Sequence, residues 1–337
     1  MSIHAFLATP TLASDLERVE EALQDSINVG NAFLEPALGH LVNAGGKRLR
    51  PTLTIVAAQA VTHDRDSAAT AEVVSAAASV ELLHIGSLLH DDVIDEADSR
   101  RGTVSVNRRW GNPTAILAGD RLLALAAQMT ARLGQYEAEV MADTLAALCD
   151  GQMLETGTMY DVERSEDAYL NSIAGKTAAL LATSARLGGY EAGGTPDQID
   201  ALANYGHHLG MAFQIVDDLL DLTATDEILG KPAGKDILEG VFSIPVIKAM
   251  GADDEIRLLL DQPMTVDIAA QARVKVVASP AIRDAFEMAR EQVQLACHVL
   301  TQCEVLHEPT VQAFQDVARH VLEQLRVPAP ELLATPA

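Results

Sequence analysis

The 337-residue sequence is 48% hydrophobic, enough for a sizeable core, and its net charge of −24 excludes nucleic acid or an anionic membrane surface as a partner held by bulk electrostatics. Aromatic residues make up only 4% and β-branched runs are short, so the composition points to an all-α protein. Cys149, Cys297 and Cys303 lack metal-like spacing, and neither a signal region nor an apolar run of eighteen residues appears. A soluble, cytoplasmic chain with reduced thiols and no stable membrane insertion is therefore expected.

In chain order, SDLERVEEALQDSINV predicts an amphipathic first helix from Ser14 to about Val29, capped by Ser14. A second helix, from about Phe33 to Asn43, stops at Ala44, Gly45 and Gly46, and the basic run Lys47, Arg48, Leu49, Arg50 opens a third. Clustered cations at a helix N-terminus oppose the dipole, which favours an anionic ligand there. An unusually long apolar helix from Ala69 to Asp95 follows. Arg100, Arg101 and Gly102 then lead into a polar loop. Pro113 opens the next helix, and others cover about Tyr136 to Thr158, Glu166 to Leu187 and Asp197 to Leu222. LGKPAGKDILEGVFSIP, with Lys231, Lys235 and Asp236, reads as a loop that closes over a ligand. Amphipathic helices fill the rest, and a frayed tail is expected at about 327–337. No linker divides the chain, so residues 1–337 are read as a single domain.

The chemistry concentrates at two places. Asp91, Asp92 and Asp95 share one helix face through i, i+3 and i, i+4 spacing, and Asp217, Asp218 and Asp221 repeat the pattern. Like charges at the C-terminal ends of apolar helices need a cation, and a divalent metal is the obvious one. Magnesium typically bridges one or two carboxylates to substrate phosphates, so two facing triplets can grip a diphosphate and make it a good leaving group. Lys176, Lys231 and Arg100 can add cationic contacts to that group. Of the six lysines, Lys47, Lys176, Lys231 and Lys235 each follow a glycine. Lys47, Arg50 and Arg101, with His84 two turns before Asp91, form a second, metal-free anion site. Two such sites side by side point to group transfer between two diphosphate esters.

GGKRLRP, ELLHIGSLLHDDVIDEADSRRG, GKTAAL, GMAFQIVDDLLD and LGKPAGKDILEG occur in the order found in the trans-isoprenyl diphosphate synthases, or polyprenyl synthetases, which the chain resembles from about Gly46 to Pro245. The resemblance implies a single-domain helical bundle around a central cavity, a homodimer, and a magnesium-dependent prenyltransferase with three ions when the allylic diphosphate is bound. It implies head-to-tail condensation of isopentenyl diphosphate with an allylic diphosphate. By matching position, Asp91, Asp95 and Asp217 would be the principal metal ligands, supported by Asp92, Asp218 and Asp221. Arg100, Lys176 and Lys231 would hold the allylic diphosphate; Lys47, Arg50, His84 and Arg101 would hold isopentenyl diphosphate; Thr177 and Gln214 would line the reacting carbons. Many members carry lysine where this chain has Val241, which removes one contact to the allylic diphosphate.

Short-chain members of that family place aromatic rings four and five residues before the first aspartate as a cavity floor. Gly86 and Ser87 stand there, which predicts a product longer than fifteen carbons, with Leu83 and Val80 as the next obstructions. A class I terpene cyclase is disfavoured because Asp217, Asp218 and Asp221 replace the Asn/Asp, Ser/Thr, Glu pattern. A di-iron bundle built on Glu81-His84 and Glu304-His307 leaves the six aspartates unexplained. A non-catalytic subunit would have lost its acidic clusters.

Overall fold

In the computed structural model, which describes residues 11–62, 67–225, 233–303, 306–326, 329 and 332, the alanine- and leucine-rich segments become helices packed side by side. They are α1 (Leu12–Ile27), α2 (Glu35–Asn43), α3 (Leu49–Val61), α4 (Ala71–Ile94), α5 (Val106–Trp110), α6 (Asn112–Leu133) and α7 (Gln135–Gly157). There follow α8 (Glu166–Ile173), α9 (Ala179–Glu191), α10 (Pro196–Thr223), the short α11 (Lys235–Leu238), α12 (Ile244–Ala252), α13 (Asp254–Leu260), α14 (Val266–Ala278), α15 (Ala281–Thr301) and α16 (Glu308–Glu323). The all-α expectation holds, and most of the expected tail lies outside the described residues.

α4 is the axis of the bundle. Its N-cap Thr70 accepts a hydrogen bond from the Val73 amide, and it packs against α1, α3, α5, α6 and α9. Its length and mean hydropathy of 1.4 meet the requirement for crossing a membrane, but 72% of its apolar window is buried within the fold. Core placement accounts for its all-round apolar surface. α10 carries the second acidic cluster and packs on α9 and α15. It starts with a capping box in which Thr195 and Gln198 satisfy each other's backbone amides.

Three local details differ from the sequence expectations. Ser14 does not cap α1; its hydroxyl lies inside the first turn and donates to the Thr11 carbonyl at 2.8 Å. The helix expected over Glu166 to Leu187 is interrupted by a π-helical turn, Ala174–Ala178, that carries Lys176 and Thr177. The polar loop after α4 contains a two-stranded antiparallel hairpin, β1 (Ser99–Arg100) and β2 (Thr103–Val104). Its turn residues Arg101 and Gly102 have φ of 51° and 74°, the positive pair that matches strand twist in a two-residue hairpin.

At the end of the bundle remote from Asp91, Glu72 of α4, Glu137 of α7 and Glu191 of α9 meet beside the stacked rings of Tyr136 and Tyr190, 4.1 Å apart. Burial, a hydrogen bond to Glu137 and the charges of Glu137 and Glu72 push the Glu191 carboxyl up to about 7. Folding therefore takes up a proton between the ordinary glutamate range and about pH 7, and stability declines as pH rises through that window. In Glu191→Gln this loss is absent. The Tm difference between variant and wild type should move in the variant's favour from pH 5 to pH 8, as measured by calorimetry.

Candidate active site

The C-terminal ends of α4 and α10 come together. Asp95 from one, and Asp217 and Asp218 from the other, line a single polar cavity of about 150 Å³ that also receives Lys176, Gln214 and Asp236. The Lys176 ammonium bonds Glu155 Oε1 at 2.6 Å. Burial works against this ammonium, but Glu155, Asp91 and Asp95 outweigh it and leave its pKa raised. Burial lifts the Asp91 carboxyl to about 6; Lys176 opposes that shift and Asp95 adds to it. Asp95 is raised for the same leading reason, desolvation. Asp218 is only 5% exposed and is raised well above the carboxylate range by burial, with Asp236 and Asp217 adding to the shift.

The remaining acids are placed less directly. Asp92 is fully buried; its Oδ1 accepts from Arg100 Nε at 2.6 Å while Oδ2 has no hydrogen-bond partner. Arg100 thus pairs with Asp92 through Nε. Asp221 is 3% exposed and lies under the returning loop, its carbonyl accepting from the Gly234 amide at 2.8 Å and its Oδ2 from the Asp236 amide at 3.4 Å. Lys231 lies outside the described residues.

A second pocket, of about 460 Å³, is lined by Lys47, Arg48, Arg50, Arg101 and His84 around the buried Glu81. Arg48, in the left-handed region at φ 46°, bonds Glu81 at 2.8 Å and also Glu20. Arg101 donates to the Gly45 carbonyl at 2.5 Å and reaches Glu81 at 3.5 Å. Consecutive arginines on the hairpin turn are therefore divided between two structures: Arg100 serves the aspartates and Arg101 the basic pocket. Burial lowers Arg50 to about 10, and its Nε has no partner. His84 is held well below its usual range by burial and then by Arg50 and Arg101, so it is neutral. One buried carboxylate among four cationic side chains leaves an excess of positive charge suited to an anion.

Beyond Asp91 a third, largely apolar cavity of about 720 Å³ opens between α4, α6 and α7, lined by Ser87, Leu123, Leu145, Leu148 and Met153. Ser87 Oγ donates back to the His84 carbonyl at 2.9 Å, so only its small apolar flank forms wall. Gly86 is turned elsewhere. A methyl group there would meet Leu123 Cδ2 at 3.0 Å and the Gly119 carbonyl at 3.2 Å. Gly86 thus allows close packing of α4 on α6, and Leu123, the side chain it faces, lines the cavity.

The π turn is possible because Gly175 and Gly151 of α7 touch. A methyl group at Gly175 would stand 2.4 Å from the Ala147 carbonyl, and one at Gly151 would stand 2.5 Å from the Lys176 amide. This contact sets Lys176 and Thr177 above α7, as π turns often do at functional sites. Sequence reasoning named Arg48 only within the basic run and missed Glu155, Arg164 and Tyr169. No shared motif links these last three to the aspartates, although Tyr169 is two helical turns before Lys176.

Among the described residues no three His, Cys, Asp or Glu side chains stand close enough to hold an ion on their own. A hard divalent cation needs less, because one or two carboxylates, waters and phosphate oxygens complete its shell. The oxygen donors of Asp95 and Asp217 in the shared cavity, with Asp91 one turn before Asp95 on α4, fit such an ion.

An acidic cavity built from two helix ends, a basic pocket and an apolar cavity between them define a prenyltransferase of diphosphate esters on an all-α fold. The polyprenyl synthetase family model matches residues 31–279. The chain is 39% identical to the nonaprenyl diphosphate synthase of Mycobacterium tuberculosis over 84% of this chain and 85% of that one. It is 36% identical to the short chain isoprenyl diphosphate synthase of Methanothermobacter thermautotrophicus over 91% and 94%. Its structure is similar to the crystal structure of the polyprenyl synthase from Caulobacter crescentus complexed with calcium and isoprenyl diphosphate, with a TM-score of 0.86, 30% identity, and 95% and 97% of the two chains covered. The chain belongs to the polyprenyl synthetase family, whose enzymes use isopentenyl diphosphate and an allylic diphosphate.

Two substitutions probe this geometry. Gly175→Ala forces the π turn off α7 and should cost about 1–3 kcal/mol in urea unfolding, with a fall in turnover as Lys176 moves. Val241 lines the acidic cavity, its amide bonded to the Asp236 carbonyl at 2.8 Å. Val241→Lys adds a cation there and should lower KM for the allylic diphosphate about three- to tenfold in steady-state assays.

Proposed function

We propose that this chain extends an allylic diphosphate with isopentenyl diphosphate to an all-trans product longer than fifteen carbons, using magnesium. The observation that carries this reading is the apolar cavity of about 720 Å³ that begins at Asp91, with Ser87 where an aromatic floor would stand. Lys47, Arg50 and Arg101 hold the diphosphate of isopentenyl diphosphate beside neutral His84, and Leu181 and Phe213 give that pocket its apolar wall. Lys176 faces the allylic diphosphate, and Asp91, Asp95 and Asp217 carry the ions, with Asp92, Asp218 and Asp221 supporting them from behind. Three magnesium ions, when bound, supply the positive charge that stabilises the departing diphosphate. Arg100, whose Nε holds Asp92, and Lys231 are assigned to the allylic diphosphate from their motifs.

As the allylic carbon–oxygen bond breaks, positive charge develops next to Thr177 and Gln214, whose side chains are joined by a 2.7 Å hydrogen bond. The double bond of isopentenyl diphosphate attacks that carbon, and the adduct's proton leaves on the released diphosphate. The chain is read as a cytoplasmic homodimer. Exposed Ile116 and Leu117 on α6, and Met153 and Leu154 on α7, support a covered apolar face.

The test incubates pure protein with magnesium, labelled isopentenyl diphosphate and each allylic starter in turn, then sizes the dephosphorylated products. Chains that end at fifteen carbons or fewer overturn the length reading. Ser87→Phe should shorten the ladder by at least one isoprene unit, since each unit spans about one helical turn; an unchanged ladder removes Ser87 from the wall.

A further inference from the structure

Four side chains at the acidic cavity form one directed hydrogen-bond chain. Tyr169 of α8, 2% exposed, donates its phenolic proton to Asp218 Oδ2 at 2.6 Å. Gln214, one turn before Asp218 on α10, donates its amide Nε2 to Asp218 Oδ1 at 2.9 Å. Gln214 Oε1 then accepts the Thr177 hydroxyl proton at 2.7 Å. The Arg164 guanidinium, itself donating to the Phe242 carbonyl at 3.0 Å, lies 5.7 Å from the centre of the Tyr169 ring and fixes it from behind.

The directions matter more than the distances. Both Asp218 oxygens act as acceptors, one from Tyr169 and one from Gln214, so Asp218 takes the NH₂ side of the Gln214 amide and turns its oxygen towards Thr177. The Thr177 proton is thereby engaged away from the substrate, which leaves hydroxyl lone pairs free to face developing positive charge. A flipped amide would set oxygen against carboxylate and NH₂ against the hydroxyl, which would then turn its own proton towards the cation. With both Asp218 oxygens occupied by these donors, the carboxylate serves the chain of hydrogen bonds.

We propose that Tyr169 is a positioning residue for prenyl transfer: through Asp218 it locks the amide of Gln214 and so the orientation of the Thr177 hydroxyl. Asp218 acts in that relay and does not carry an ion. The proposal rests on the reading of the reaction given above.

In Tyr169→Phe, kcat for condensation should fall about ten- to a hundredfold, the scale of a misplaced catalytic group, with KM for isopentenyl diphosphate and the magnesium concentration for half-maximal activity unchanged. Asp218→Asn, nearly isosteric, keeps an acceptor for Tyr169 but presents NH₂ to Gln214. It should show the same loss in kcat and the same magnesium dependence, and the double variant should fall no further than the worse single one. A kcat within twofold of wild type, or a loss in either variant that saturating magnesium restores, overturns the proposal.

A readout without turnover separates this proposal from the reaction itself. Solvent exchange of the Gln214 side-chain amide protons, assigned by their absence in Gln214→Leu, should quicken at least about tenfold in Tyr169→Phe. Unchanged exchange overturns the lock even if wild type makes product. Faster exchange in a protein that makes no product retains the lock and rejects the reaction.

Discussion

The structure depends on the crowding of carboxylates at the C-terminal ends of two buried helices. Each end already carries the negative pole of its helix, and each adds aspartates to it. Part of this repulsion is met within the protein: Arg100 pairs with Asp92, Lys176 stands among Asp91, Asp95 and Glu155, and Arg273 of α14 donates to the terminal carbonyls of α10 at Leu222 and Ala224, at 2.8 and 3.0 Å. Burial, with neighbouring acids adding to it, raises the carboxyl pKa values of Asp91, Asp95 and Asp218. Ionising these groups together becomes favourable when divalent cations enter, so desolvation in the folded protein and affinity for metal have one origin.

α4 then keeps three chemistries apart with one element. Glu81 and His84 face the basic pocket, Ser87 and Asp91 the apolar cavity, and Asp95 the acidic one. Glu81 organises rather than neutralises: it orients Arg48 and Arg101 while Arg50 keeps an unpartnered nitrogen, so the pocket retains its appetite for an anion. A diphosphate that brings metal and one that does not are sorted by the sign of the charge each pocket leaves uncompensated.

Much of the site was legible in the chain because its parts are local. The i, i+3 and i, i+4 spacing of the aspartates is a property of one helix, and glycine before lysine marks close backbone approach at Lys47 and Lys176. The type and order of the long helices followed from periodicity, with ends displaced by a residue or two except at α9, which runs four residues past Leu187, while α5 and α11 fall in segments read as loops. The π turn was not legible, because it arises from contact between Gly151 and Gly175, twenty-four positions apart and on different elements. The opposite duties of Arg100 and Arg101 depend on a hairpin turn whose positive φ angles no composition signals. Gly86 and Ser87 were interchangeable in a linear reading, and packing against α6 separated them.

By itself, then, the sequence determined an all-α chain with two acidic triplets and a set of glycine-flanked cations, because hydrophobic period and residue chemistry are written within a few turns. Only the tertiary structure decided which acid opens to the cavity and which is sealed beside an arginine or under a loop. It also decided that α7, the loop after it and α8 supply Glu155, Arg164 and Tyr169 to the site. Those outcomes depend on long-range packing, where burial and the direction of a hydrogen bond, rather than residue type, set what each side chain does.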